Sequence, residues 1–408
     1  MTILHVDLNS YFATVEQQQN PFLRGKPVGI VKDIGRMCII AASKEAKRLG
    51  IKTGTNLHDA RKLAPRLILI KADFYKYLDY TKRFFALVES FSPDVTLFSL
   101  DEAFINTSNC IRLCGSAETL AVKIQEKIYA KLGNWVTASI GISYNRTLAK
   151  LAGDHAPKGG YFRISKENLD EILAGCKPRD ICGIGPRLEE KLINTGVTNI
   201  LQIRKLEDKI LKLRFGPFWG PELKRISIGE ESHLLRLLDS NLYMKGVGRT
   251  ITGFRLCDSE EEIQKIIRNL VEEATYKIRQ INLAGRQISI FLEGEEKIWY
   301  RHRTLKYHVR HPDEVFDLIY NGLYKGWQRS FAVIRFGVHV GLLSPVTNLT
   351  ACWLESWQKR EKLWSAVDAI NKKHGFASLR SARLLRGPLI RPEVTGYLGD
   401  KLYQFPRE

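Results

Sequence analysis

This sequence lacks any run of about 18 apolar residues, and its start, Met1-Thr2-Ile3-Leu4-His5-Val6-Asp7, has no basic stretch leading into a short apolar core. Neither a membrane span nor a secretory leader is expected, and the chain reads as cytoplasmic with no membrane partner. The seven cysteines, at 38, 110, 114, 176, 182, 257 and 352, lack the paired short spacings of a disulfide framework or zinc site. Cys110-x-x-x-Cys114 is the closest pair, and no His or Cys pair follows to complete a metal site, so free thiols are expected. There is no low-complexity tract or long repeat. Acidic residues are in deficit, 44 Asp+Glu against 63 Lys+Arg, and the net charge of +19 points to a polyanionic partner such as nucleic acid or an anionic membrane surface.

What is present is enough for several cores: 408 residues, 44% hydrophobic, predict two to four domains. Ile3 to Asp7 reads as a buried strand ending on a carboxylate, followed by a helix over 10–19. Residues 21–71 form a small basic unit, with strands at 27–31 and 38–42, helices at 44–49 and 57–63, and Arg24, Lys26, Lys32, Arg36, Lys44, Lys47, Arg48 and Lys52 spread through it. A helix over 75–91, strands at 95–98 and 103–106, a helix over 116–131 and a strand at 136–143 continue an α/β layer. From about Ser165 to Asp239 the chain is helical and glycine-punctuated. From Lys245 the order is strand (247–256), helix (259–280), strand (286–293), strand (297–304), helix (312–325), strand (331–342), the ferredoxin-like series, with a last helix over 355–373.

Transfer of a phosphoryl group to a sugar hydroxyl is commonly served by two divalent cations about 3.5–4 Å apart, which need converging carboxylates. Asp7 alone reads as well as a turn or helix cap. Adjacent Asp101-Glu102 are harder to dismiss, because Leu97 to Leu100 and Ala103 to Ile105 surround them with apolar chain, and burying unpaired charge is costly. If their strands neighbour that of Asp7, all three acids meet at one sheet edge.

Val6-Asp7-Leu8-Asn9-Ser10-Tyr11-Phe12-Ala13 and Ser99-Leu100-Asp101-Glu102-Ala103-Phe104 resemble the two catalytic motifs of the Y-family DNA polymerases, of the polymerase IV and polymerase V type, and the resemblance implies template-directed, low-fidelity translesion DNA synthesis. The resemblance spans nearly the whole chain. It implies an α/β and α+β multidomain fold, a right-hand polymerase with palm (1–19 and 72–165), small fingers (20–71), helical thumb with a helix-hairpin-helix (166–239), ferredoxin-like little finger (245–345) and a C-terminal extension (346–408). It further implies that Asp7 and Asp101 bridge two Mg²⁺ ions, with Mn²⁺ as a substitute, that the Leu8 carbonyl helps hold one, and that Glu102 completes the site where the primer 3′-hydroxyl is activated. A monomer acting on primer-template DNA and deoxynucleoside triphosphates is expected.

By the same resemblance Phe12 packs under the incoming sugar as a gate against 2′-hydroxyls, and the backbone of Tyr11 meets the sugar's 3′ end; read from the helix alone, both rings are core residues. The stretch Ile39 to Lys52, with Ser43-Lys44-Glu45-Ala46-Lys47, resembles the segment facing the triphosphate, and makes Ser43, Lys44 and Lys47 nucleotide-binding candidates. Most members place Tyr and Arg where Lys44 and Lys47 stand, and lysine offers a point charge without arginine's bidentate grip. This version is closer to the polymerase V type. Ile142 to Ala152 resembles a further family signature, and in the altered loop after it Lys158 is the phosphate-binding candidate.

Ile181-Cys182-Gly183-Ile184-Gly185-Pro186-Arg187-Leu188-Glu189-Glu190-Lys191-Leu192 reads as a helix-hairpin-helix in which Gly183, Gly185 and Lys191 take a DNA phosphate. In the last domain Lys245, Arg249, Arg286, Arg301, Arg303 and Arg335 are expected on one sheet face as backbone-tracking groups. Lys401-Leu402-Tyr403-Gln404-Phe405 loosely resembles a sliding-clamp docking peptide. The rival readings are a catalytically silent DNA-binding scaffold of the same descent, against which the three acids stand, a palm-fold nucleotide cyclase, which leaves the DNA-binding features unexplained, and a helix-hairpin-helix nuclease, which needs no sugar gate.

Overall fold

The computed structural model describes residues 1–32, 38–110, 115–236, 244–349, 355–375 and 378–384. Cys114 and the peptide at 401–405 lie outside them. The chain divides into two units, Met1–Ser240 and Asn241–Glu408.

In the first unit β1 (Ile3–Leu8) is buried at all but one position and leads into α1 (Tyr11–Gln19). Then come β2 (Val28–Val31), β3 (Ile39–Ala42), α2 (Lys44–Arg48), α3 (Leu57–Leu63) and β4 (Ile68–Lys71), the last a strand that sequence periodicity does not announce. These strands form a separate three-stranded sheet, order β3-β2-β4, over a small core including Val31, Ile39, Ala46 and Ile51. Next are α4 (Phe74–Glu89), β5 (Val95–Leu97), β6 (Glu102–Asn106), α5 (Ala117–Leu132), β7 (Ala138–Ser143), α6 (Arg146–His155) and β8 (Tyr161–Arg163). With β1 at its centre they make a five-stranded sheet, β5-β6-β1-β7-β8, in which β1 runs antiparallel to both neighbours. Because β1 is flanked on both sides it reads as a continuous apolar run broken only by His5 and Asp7. The helical remainder, α7 (Leu169–Gly175), α8 (Pro186–Ile193), α9 (Asp208–Ser227) and α10 (His233–Arg236), shares a core with α6 through Leu148, Leu151 and Ala152.

The second unit follows the expected element order: β9 (Gly246–Cys257), α11 (Glu260–Gln280), β10 (Leu283–Glu293), β11 (Ile298–Val309), α12 (Pro312–Tyr320) and β12 (Val333–Pro345), then α13 (Glu355–His374). Its strand order, β11-β10-β12-β9, is the ferredoxin arrangement reversed: the second and fourth strands are central where the first and third are expected. Element order is the same for both arrangements, so the sequence does not separate them. Helices α11 and α12 cover one face over Ile267, Leu270, Ile288, Ile290, Phe336 and Val338. Among the described residues no helix is long and apolar enough to cross a membrane, and Cys38, Cys110, Cys176, Cys182 and Cys257 are free thiols.

Candidate active site

The acids meet where β1 pairs with β6. Asp7 and Glu102 are register partners, so both side chains leave the same face of the sheet. The Leu8 N–H donates to the Asp101 carbonyl at 2.9 Å, which pins Asp101 beside them. The turn carrying Asp101 is braced from behind: Thr81 Oγ1 donates to the Leu100 carbonyl at 2.7 Å, and the buried Tyr11 hydroxyl, 2.9 Å from Thr81 Oγ1, donates to the Tyr77 carbonyl at 2.5 Å. Ser99 Oγ bonds the Asp101 carboxylate itself. After β1 the chain turns through Ser10 at φ 51°, a region that side chains other than glycine seldom adopt. Helix α1 then starts with no side-chain cap, leaving its first N–H groups to an outside acceptor, an arrangement suited to an anion.

The three carboxylates are not equivalent. Asp7 takes no hydrogen bond from the described residues. Burial, then the negative charges of Asp101 and Glu102, push it up to about 8. Burial and the charge of Glu102 raise Asp101 to about 6. Burial acts on Glu102 in the same direction, but a hydrogen bond from His5 and the charge of Lys150 overcome it and hold Glu102 at about 2. His5 Nε2 lies 2.9 Å from Glu102 Oε2, and Lys150 Nζ bonds the same oxygen. Neither residue is singled out by sequence reasoning, although the two-residue period of a strand sets His5 on the face of Asp7.

Two buried carboxylates held above their usual range, with no ion pair among the described residues, form an oxygen donor set that a hard divalent ion would neutralise. The residues fit such an ion at Asp7 and Asp101. Among the described residues no three His, Cys, Asp or Glu side chains converge as a ready chelate, and Glu102 is bonded to Lys150.

Of the nucleotide-binding candidates, Lys47 and Lys158 are close enough for each to feel the charge of Asp7 and of the other. Phe12 stacks on Tyr77 at 4.3 Å between centroids and 13° between planes, with Phe74 against its edge at 6.1 Å. The Tyr11 ring is core. Two further candidates are engaged within the protein. Ser43 is fully buried as the N-cap of α2, accepting from the Ala46 and Val28 N–H groups at 3.2 and 3.1 Å, so its hydroxyl is spent inside the protein. Lys44 turns over the Trp135 ring, 5.6 Å from its centroid.

In the helical segment Gly183 has φ 98° and Gly185 is the N-cap of α8, with Pro186 at its first position and no side-chain cap, while Lys191 is exposed on the same helix. The element before this hairpin is only a short 3-10 turn, Pro178–Asp180.

In the second unit the expected single basic face does not exist. Across the ladders Arg249 faces Val338, Arg301 faces Ile290 and Arg303 faces Ile288, all three partners being core, so these arginines lie on the helix side. Arg249 is covered there, its Nε 2.6 Å from Glu273 Oε1 of α11, and is not a solvent-facing group. Arg301 and Arg303 stay exposed because β11 is an edge strand. Arg335, opposite Glu293 and Thr252, lies on the other face, which also carries Ser289, His302 and His339. Lys245 is exposed, and the charge of Arg286 reaches His308.

The sequence pattern of the impB/mucB/samB family matches residues 6–154, and that of the family's C-terminal domain matches 244–350. The chain is 30% identical over 405 residues to a DNA polymerase IV of Pelotomaculum thermopropionicum, covering 95% of this chain and 97% of that one. It is 29% identical over 391 residues to a DNA polymerase IV of Acetivibrio thermocellus, covering 94% and 97%. The fold is similar to that of a Y-family DNA polymerase chimera of Dbh and Dpo4, with TM-score 0.72 and 23% identity over 85% of this chain and all of the other. It is also similar to Dbh DNA polymerase in an insertion ternary complex, with TM-score 0.57 and 23% identity over the same shares.

Proposed function

Because the chain belongs to the impB/mucB/samB family of Y-family translesion DNA polymerases, we propose that Asp7, Asp101 and Glu102 are the residues with which it extends a primer. The observation that carries this reading is the pairing of Asp7 with Glu102 across β1 and β6, with Asp101 tied to Leu8. A divalent metal ion is the cofactor; we infer Mg²⁺, two per site with Mn²⁺ as a substitute, supplying neutralisation of charge at the reacting phosphate when bound. Asp7, Asp101 and the Leu8 carbonyl hold it. Glu102, kept ionised by its two cationic or hydrogen-bonding neighbours, accepts the hydrogen bond of the primer 3′-hydroxyl. Lys47, Lys158 and the uncapped start of α1 meet the triphosphate. The Phe12 ring, braced on Tyr77, stands under the sugar and excludes a 2′-hydroxyl.

In the family's terms, residues 1–19 and 72–165 act as palm, 20–71 as fingers, 166–239 as thumb, 245–345 as little finger and 346–408 as a C-terminal extension. Gly183, Gly185 and Lys191 take a DNA phosphate, and Lys245, Arg286, Arg301, Arg303 and Arg335 follow the backbone without reading bases. The chain works as a monomer in the cytoplasm, and the segment at 401–405 is a candidate clamp contact.

The test is primer extension with Mg²⁺. Asp101→Ala combined with Glu102→Ala is expected to reduce extension to background while duplex binding, read by fluorescence anisotropy, stays within about threefold. Persistent extension removes the assignment. Phe12→Ala is expected to admit ribonucleotides, and equal ribonucleotide use by parent and variant removes the gate.

A further inference from the structure

Glu102 is anchored by one oxygen only. His5 Nε2, 2.9 Å away, and Lys150 Nζ both bond Oε2. Oε1 receives no bond from either, so it is the oxygen left for substrate or cation.

The two anchors are themselves built in. His5 is fully buried and its ring packs on Phe104 with centroids 4.9 Å apart. Its Nδ1 is buried without a hydrogen-bond partner, so the neutral ring is best served by carrying its proton on Nε2, as the donor to Glu102. Helix α6 passes so close to β1 that a Cβ on Gly153 would stand 2.8 Å from His5 Nδ1, so the ring sits in the space that any side chain at 153 would need. Lys150, from the same helix, is 16% exposed and its ammonium sits over the Phe98 ring, 5.0 Å from the centroid.

We propose that His5 and Lys150 are positioning residues that clamp Glu102 through Oε2 and present Oε1 to the reaction, and that Lys150 is the resident counter-charge against which an incoming divalent cation must work. The proposal rests on the polymerase reading of the three acids. It follows that Lys150 has two opposed effects. Its charge repels a second cation, and its hydrogen bond orients the carboxylate that the reaction needs.

The two effects separate in Lys150→Met. Mn²⁺ binding to the full-length, DNA-free protein, followed by electron paramagnetic resonance, is expected to tighten by about three- to tenfold once about 1 kcal/mol of repulsion is gone. In the same variant kcat for primer extension is expected to fall about 10- to 100-fold with KM for the nucleotide little changed. Lys150→Arg, which restores a cationic donor, returns Mn²⁺ affinity to the parent value. For His5, Gln keeps a donor near Nε2 and retains most of kcat, whereas Phe of the same shape loses it about 10-fold or more. A purely structural role predicts a different pattern, with Mn²⁺ affinity, kcat and melting temperature of Lys150→Met declining together. That result, or an unchanged kcat, overturns the proposal. Asp101→Asn separates this failure from failure of the underlying reading: loss of Mn²⁺ binding and of extension there keeps the acid site, whatever Lys150 does.

Discussion

Two sheets in this protein carry charged side chains among apolar strand residues, and they handle them in opposite ways. In the five-stranded sheet the charges sit at the centre, where β1 is flanked on both sides, and among the described residues two of the three acids form no ion pair, with lysines only near enough to act through space. In the four-stranded sheet the arginines are dispersed: Arg249 is neutralised by Glu273 under a helix, Arg301 and Arg303 lie on an edge, and Arg335 is on the opposite face beside Glu293 at 3.3 Å. The first sheet stores unbalanced charge for a ligand, and the second balances its charge internally wherever it is covered. The difference teaches that charged residues at a two-residue period carry functional meaning only once it is known what lies against each face.

The comparison is tested most severely at Asp7. Its carboxyl is raised to about 8 from an ordinary 3.8, so the protonated form suits the fold. The stability this contributes is fully present below about pH 4 and is lost as pH rises through 8, with Asp101 adding the same sign up to about 6. Glu102 has the opposite sign, stabilising above its ordinary value and losing that only as pH falls towards 2. In EDTA the melting temperature of the parent is therefore expected to drop by several degrees between pH 5 and 8.5. Asp7→Asn should flatten much of that slope, and Mg²⁺ should restore the parent at high pH. Parallel curves for parent and variant would show that no unbalanced charge is stored there.

A smaller effect is expected at Arg249. Removing it takes away one of the groups that meets the charge of Glu273, 5% exposed, while Lys277 stays beside it, and losing one such bond to a charged group costs about 1.5–3 kcal/mol. Arg249→Ala should lower the denaturant midpoint and leave the salt dependence of duplex binding unchanged. A reduced salt slope with normal stability would return Arg249 to the DNA-facing set. The smallest change is expected from Arg335→Ala, which should leave stability intact and reduce the slope of log affinity against log salt by about one. If the slope does not move, the face opposite the helices is not the one that meets phosphate.

The parts legible in the sequence are those written as contiguous strings. Asp7 in its strand, Asp101-Glu102 between apolar flanks and the glycine hairpin at 183–185 all stand where their local pattern puts them. His5 and Lys150 escaped because each is a single polar residue in an apolar stretch, and 145 positions of chain separate the partners that the sheet and α6 bring on to one oxygen. The covered position of Arg249 is not legible in the sequence, because alternation tells which residues share a face and is silent on which face the helices cover. Register shifts at Gly285/Gln287 and Val333/Arg335 further break the count along the strands. The reversed strand order and the short β4 and β8 were equally beyond reach, since both are fixed by long-range pairing.

The hydroxyls of Tyr11 and Thr81 lie 2.9 Å apart behind the acid site. Through them the turn ahead of Asp101 hangs from α4, and the first helix is tied to the same point. Whatever tilts α4 or α1 thus tugs on an acid 20 positions from Thr81 and 90 from Tyr11 in sequence. A methyl in place of the Thr81 hydroxyl would slacken that suspension while leaving every carboxylate in the chain untouched.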